Sequence, residues 1–63
     1  MTQIRDLKPG DVFHYYNVSD HPNNFCTFVS VSKTPTGRDS FNYRFHGSLH
    51  KGLGSAKVNV ISQ

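Results

Sequence analysis

Hydrophobic and polar positions alternate with a period of two in several stretches of the chain, the spacing at which successive side chains fall on opposite faces of a strand. From Phe25 to Ser32, one set holds Phe25, Thr27, Val29 and Val31, and the other holds Cys26, Phe28, Ser30 and Ser32. From Phe41 to His46 the split is cleaner, with Phe41, Tyr43 and Phe45 on one side and Asn42, Arg44 and His46 on the other. Both stretches predict half-buried strands. The intervening Lys33 to Ser40 contains Pro35, which presets a turn dihedral, and Gly37, which tolerates positive φ, so the two strands are expected to form a hairpin. Val12 to Val18 is rich in β-branched and aromatic residues and predicts a first long strand, launched by the turn Lys8-Pro9-Gly10-Asp11. Asp20 to Asn24 supplies further turn chemistry, and Ala56 to Ile61 alternates again as a last strand.

No window keeps apolar residues at helical spacing for more than a turn, and a single helical turn fits Thr2 to Leu7. Four to five short strands joined by short loops predict an all-β fold, a small and strongly bent antiparallel sheet that closes on itself and so removes exposed edges. Three segments carry a resemblance: Leu7-Lys8-Pro9-Gly10-Asp11-Val12-Phe13, the central hairpin from Phe28-Val29-Ser30-Val31 through Gly37 to Tyr43-Arg44-Phe45, and the terminal Val58-Asn59-Val60-Ile61. In this pattern, which runs from Leu7 to Ile61, the chain resembles small SH3-like barrels of bacterial and phage origin. The resemblance implies a single SH3-like β-barrel domain over residues 1–63. Such barrels bind nucleic acid, peptides or other proteins, so it speaks to fold more than to function.

Composition narrows the classes further. An apolar share of 35% with 13% aromatic and only 17% charged residues belongs to a chain that folds rather than to a disordered tail. Cys26 is the only cysteine, which excludes an internal disulfide and a cysteine-based zinc framework and suits a reducing compartment. No apolar run approaches the roughly 20 residues of a membrane span, and Met1 to Asp6 lacks the hydrophobic stretch of a signal peptide, so a cytoplasmic protein with no membrane partner is expected. Asn17-Val18-Ser19 matches the glycosylation acceptor pattern, which matters only in a secreted protein. The formal charge of +3 leans toward an anionic partner. Yet Arg5, Lys8, Lys33, Arg38, Arg44, Lys51 and Lys57 are spread along the chain without forming a basic block.

A chain of 63 residues holds one thin core, too thin to wall off a catalytic pocket and brace its reacting groups, so neither an enzyme nor a cofactor is expected. His14, His21, His46 and His50 with Cys26 invite a metal reading, but Gly47 and Ser48 between the last two histidines oppose the helix that would put them on one face. No metal site is expected. Ser19, Asp20 and His21 have the residue types of a nucleophilic triad, but as immediate neighbours they are better explained as a turn bonding its own backbone. The stretch from Gly47 to Ser55 is glycine-rich with a lysine, yet it fits no phosphate-loop pattern. It reads as a mobile loop in which Leu49 and Leu53 have no place in the strand pattern and offer a docking point.

A core built from Phe13, Phe25, Phe41, Tyr43 and Phe45 leaves Tyr15, Tyr16 and Phe28 spare, while the inward face of the first strand stays open between Val12, His14, Tyr16 and Phe13, Tyr15. The favoured reading is a small non-enzymatic module that binds another protein, an inhibitor or accessory protein of phage or bacterial type. The alternative is a barrel for single-stranded DNA or RNA, in which a spare tyrosine stacks on bases and cations follow the phosphates. The residues expected to serve one or the other are Tyr15, Tyr16, Phe28, Lys33, Arg38, Arg44, His46, Leu49, Lys51, Leu53 and Lys57. A homo-oligomer formed by pairing edge strands is a third expectation.

Overall fold

A computed structural model describes residues 2–62; Met1 and Gln63 lie outside it. Six strands, β1 (Thr2–Gln3), β2 (Val12–Tyr15), β3 (Cys26–Lys33), β4 (Asp39–Phe45), β5 (Ser48–Gly52) and β6 (Lys57–Ser62), form one antiparallel sheet in the order β1-β6-β2-β3-β4-β5. The protein is therefore all-β, with two short 3-10 turns at Ile4–Asp6 and Pro22–Asn24. The ladder is open: β1 and β5 are its two edges and do not pair with each other. The sheet nevertheless curls, and the chain beyond β1 stays tied to its end, where the backbone N–H groups of Ile4 and Arg5 donate to the carbonyls of Ala56 and Gly54, at 3.0 and 3.1 Å. Gly52 lies directly against the Ile4, Tyr15 and Tyr43 side chains.

Two turns set the frame. Pro9 and Gly10, the latter at φ 94°, bring the Asp11 N–H to the Lys8 carbonyl at 3.0 Å, while the Asp11 carboxylate accepts the Lys8 N–H at 2.8 Å. The turn is then fastened to β3, where Gly10 donates to the Phe28 carbonyl and Phe28 donates to that of Asp11. The predicted hairpin between β3 and β4 is present, its tip closed by Thr34 and Arg38 and its stem joined by an exposed Lys33–Asp39 ion pair at 2.8 Å. Such a pair contributes little in open solvent.

The core consists of Ile4, Leu7, Phe13, Cys26, Phe28 and Val58, with Tyr15, Phe41, Tyr43, Phe45, Ala56 and Val60 packed around it. This departs from the sequence reading in three places. Phe28, expected to be spare, is buried to 4% exposure, whereas Phe25, expected in the core, is half-buried on the other face and stacks on the buried ring of His14. Phe28 shares the inward face of β3 with Cys26 and pairs with Tyr43, which puts Phe25 outward by parity; a bulge between Phe28 and Ser30 then turns Val31, still exposed, to that same side opposite Phe41. The first long strand stops at Tyr15 rather than Val18, because Tyr16 and Asn17 turn the chain and Val18 N–H donates to the Tyr15 carbonyl. Phe13 is the fully buried side chain of β2, which settles its inward face in favour of Phe13 and Tyr15. Finally, the expected mobile loop from Gly47 to Ser55 contains a strand, β5, so the count rises from four or five to six.

Candidate functional site

Strand alternation distributes the remaining chemistry between two faces. On the core side, Tyr43 and Phe45 of β4 stand beside His50 of β5, which the register places opposite Tyr43. Tyr15 enters from β2 and Cys26 from the start of β3, while Val18 and Asn24 of the β2–β3 connection complete a hollow of about 260 Å³. Its aromatic walls are set at angles. Tyr43 and His50 stack at 5.7 Å and 18°, whereas Tyr15 meets Tyr43, and Phe45 meets His50, edge to face at 6.0 Å each. The Tyr15 hydroxyl donates to that of Tyr43 at 3.1 Å, which leaves the Tyr43 proton free to meet an acceptor in the hollow.

Two of the titratable groups that line the hollow are biased toward their neutral forms. Burial pushes the Tyr15 phenol above its ordinary range, and its hydrogen bond with Tyr43 pushes the same way. Burial likewise raises the Cys26 thiol, whose sulfur lies 3.7 Å from the Asn24 carbonyl as a weak donor. A protonated thiol is a poor nucleophile, so Cys26 acts here as a small apolar wall. Among the described residues no Lys, Arg, Asp or Glu lines the hollow.

The opposite face of β4 and β5 carries Arg44 and Lys51. Arg44 pairs in register with Leu49, and Asn42 with Lys51, so all four project away from the aromatic hollow. Asn42 is buried there and donates through Nδ2 to the hydroxyls of Ser32 and Ser30, at 3.2 and 3.4 Å. Among the other residues expected to bind, Lys33 sits in the hairpin stem against Asp39, Arg38 lies at the hairpin tip, and Lys57 is exposed on β6. Tyr16, Leu49 and Leu53 are well exposed. His46 is a turn residue at φ 53°, and its Nε2 lies 2.8 Å from the Asn23 carbonyl. Phe28 is in the core and reaches neither face as a free surface. Of the expected residues Tyr15 alone lines the hollow, while Arg38, Lys51 and Leu53 come together in a separate shallow depression with Asp39 and Ser40.

No family model, curated protein or solved structure matches the chain. The sequence reading missed Val18, Asn24, Cys26, Tyr43, Phe45 and His50 as lining residues, because it assigned Tyr43 and Phe45 wholly to the core and left His50 in a loop. A signal was present: the alternation Phe41, Tyr43, Phe45 ends on His46-Gly47, a dipeptide suited to a two-residue hairpin turn that extends the aromatic face onto one more strand. Among the described residues no three His, Cys, Asp or Glu side chains converge as metal ligands, and no helix is long and apolar enough to cross a membrane.

Proposed function

We propose that the protein is a small non-catalytic module that binds another protein, taking apolar or aromatic side chains of the partner into the hollow between β2, β4 and β5. One observation carries the reading: rings and cations occupy opposite faces of the β4–β5 hairpin. A surface for single-stranded nucleic acid needs aromatic faces for the bases and cations for the phosphates side by side. A hollow lined by aromatic rings, a valine and a thiol, with hydroxyl and amide groups at hand, instead matches the anchor pockets that hold buried side chains at protein interfaces. An inhibitor or accessory subunit is the role that such a module fills. The strand order supports an SH3-like reading of the sheet, since β6 returns to pair with β2 while β3, β4 and β5 form a meander.

The test compares tagged wild type, Val18→Asp and the double variant Arg44→Glu/Lys51→Glu in capture from host extract, with and without nuclease. Val18 is exposed at the rim, so a carboxylate there blocks the hollow without entering the core. The expected result is a stoichiometric protein complex that survives nuclease and the charge reversal and is lost with Val18→Asp. Recovery of nucleic acid alone, lost on charge reversal, overturns the proposal and supports the phosphate-binding alternative.

A further inference from the structure

The β4–β5 hairpin turns on two residues, His46 and Gly47, at φ 53° and 79°, the conformation of a type I′ turn. The pair that flanks such a turn, here Phe45 and Ser48, is hydrogen-bonded, and bonded and non-bonded pairs alternate along the ladder from there. Ser48, His50 and Gly52 therefore direct their backbone groups toward β4, while the N–H and C=O of Leu49 and Lys51 point out of the sheet. Among the described residues nothing pairs with that side of β5, and Ser48 to Lys51 are all exposed. The opposite edge, β1, is only two residues long. The two most exposed large apolar side chains among the described residues, Leu53 at 77% and Leu49 at 61%, both belong to this segment. An edge of this length, uncovered and flanked by leucines, is a template for another strand.

We propose that the strand it takes is β5 of a second copy, paired antiparallel about a two-fold axis at His50. The register follows from which groups face outward. With Leu49 opposite Lys51 of the second copy, and Lys51 opposite its Leu49, the outward N–H and C=O groups of all four residues are satisfied, and the two His50 residues form the non-bonded pair between them. A shift in one direction sets Lys51 against Lys51, where like charges directly opposite are unfavourable. A shift in the other sets Lys51 against Gly47, where the chain has already left the extended conformation. The His50-centred register alone avoids both.

The axis is perpendicular to the sheet, so the aromatic hollows of the two copies open on the same face and meet at their shared His50 walls. On the other face, Leu49 lies along the aliphatic stem of the facing lysine. Two five-residue edges cover less than the roughly 1,200 Å² at which stable interfaces begin, so the dimer is weak and reversible. This inference is independent of what the hollow binds.

Sedimentation of the full chain over about 10 μM to 1 mM, the range suited to so small an interface, reads the proposal directly. The expected result is a rise from monomer toward twice the monomer mass. Leu49→Pro removes an outward N–H and leaves the β4 ladder intact, so it keeps the β-type circular dichroism and holds the mass at monomer. If that variant loses its fold, Leu49→Lys substitutes for it. Placing a cation opposite Lys51 of the second copy weakens association at least tenfold. His50→Cys reports the register, because two cysteines on the axis cross-link under mild oxidation and a Leu53→Cys control does not. A monomer at every concentration, a dimer indifferent to both Leu49 variants, or cross-linking at position 53 in place of position 50 overturns the proposal.

Discussion

Replacing Phe28 with alanine tests the most consequential difference between the pattern of the chain and its structure. Phe28 is 4% exposed and packs with Ile4, Leu7, Phe13, Cys26 and Val58. Truncating a buried Phe to Ala costs about 3–5 kcal/mol through lost transfer energy and the cavity left behind. A 63-residue domain has a total stability of about 3–9 kcal/mol at ordinary stability per residue, so Phe28→Ala is expected to remove from about a third to all of it. Phe28→Leu keeps most of the volume and is the quantitative probe, with an expected loss of about 1–1.5 kcal/mol. With a urea dependence of roughly 1 kcal/mol per molar for so small a chain, its midpoint falls by about 1 M. Tyr16→Ala serves as control: at 54% exposure its stability should stay within about 0.5 kcal/mol of wild type. Urea titration followed by circular dichroism measures all three. A Phe28→Ala protein with a wild-type midpoint would mean that Phe28 faces solvent.

The Tyr15 phenol is raised in the folded protein, so its contribution to stability is fully present below the ordinary tyrosine value near 10 and is lost as pH climbs above it. The urea midpoint should drop across that alkaline range, and Tyr15→Phe should flatten the drop. An alanine Cβ at Gly54 would lie 2.6 Å from Phe41 Cε2, so the ring must move, at a cost of about 1–3 kcal/mol visible as a lower melting temperature. Combining Gly54→Ala with Phe41→Leu should recover part of that loss, and strictly additive melting shifts would refute the contact. His46→Asn places a residue that tolerates positive φ in the turn and should raise the melting temperature slightly, after subtracting the exposed bond to Asn23. A marked fall would show that the Asn23 bond outweighs turn geometry.

The central hairpin was legible because Pro35 and Gly37 punctuate two strongly alternating runs, and β6 was legible for its alternation alone. Phe28 was not, since both faces of Phe25 to Ser32 carry apolar residues and a bulge reverses their parity part-way along. Period two has no means of announcing an inserted residue. β5 escaped notice for a different reason: both of its faces are exposed or line an open hollow, so no apolar alternation was needed to hold it. The β4 ladder and a two-residue turn suffice. The hollow itself is a product of curvature, which brings Tyr15 of β2 over Tyr43 of β4, and curvature is not written in any local pattern.

The position of β6 carries a consequence in time. It is the last of the six strands to leave the ribosome, and it lies between β1 and β2, the first two. Until it arrives, Phe13 and Tyr15 lack Val58 and Val60 beside them, and Ile4 lacks the Ala56 carbonyl that anchors it. Contacts so far apart along the chain form slowly. During synthesis the nascent chain therefore presents a meander with an apolar flank exposed and both edges bare, and whatever shields that intermediate in the cell acts before the last strand is made.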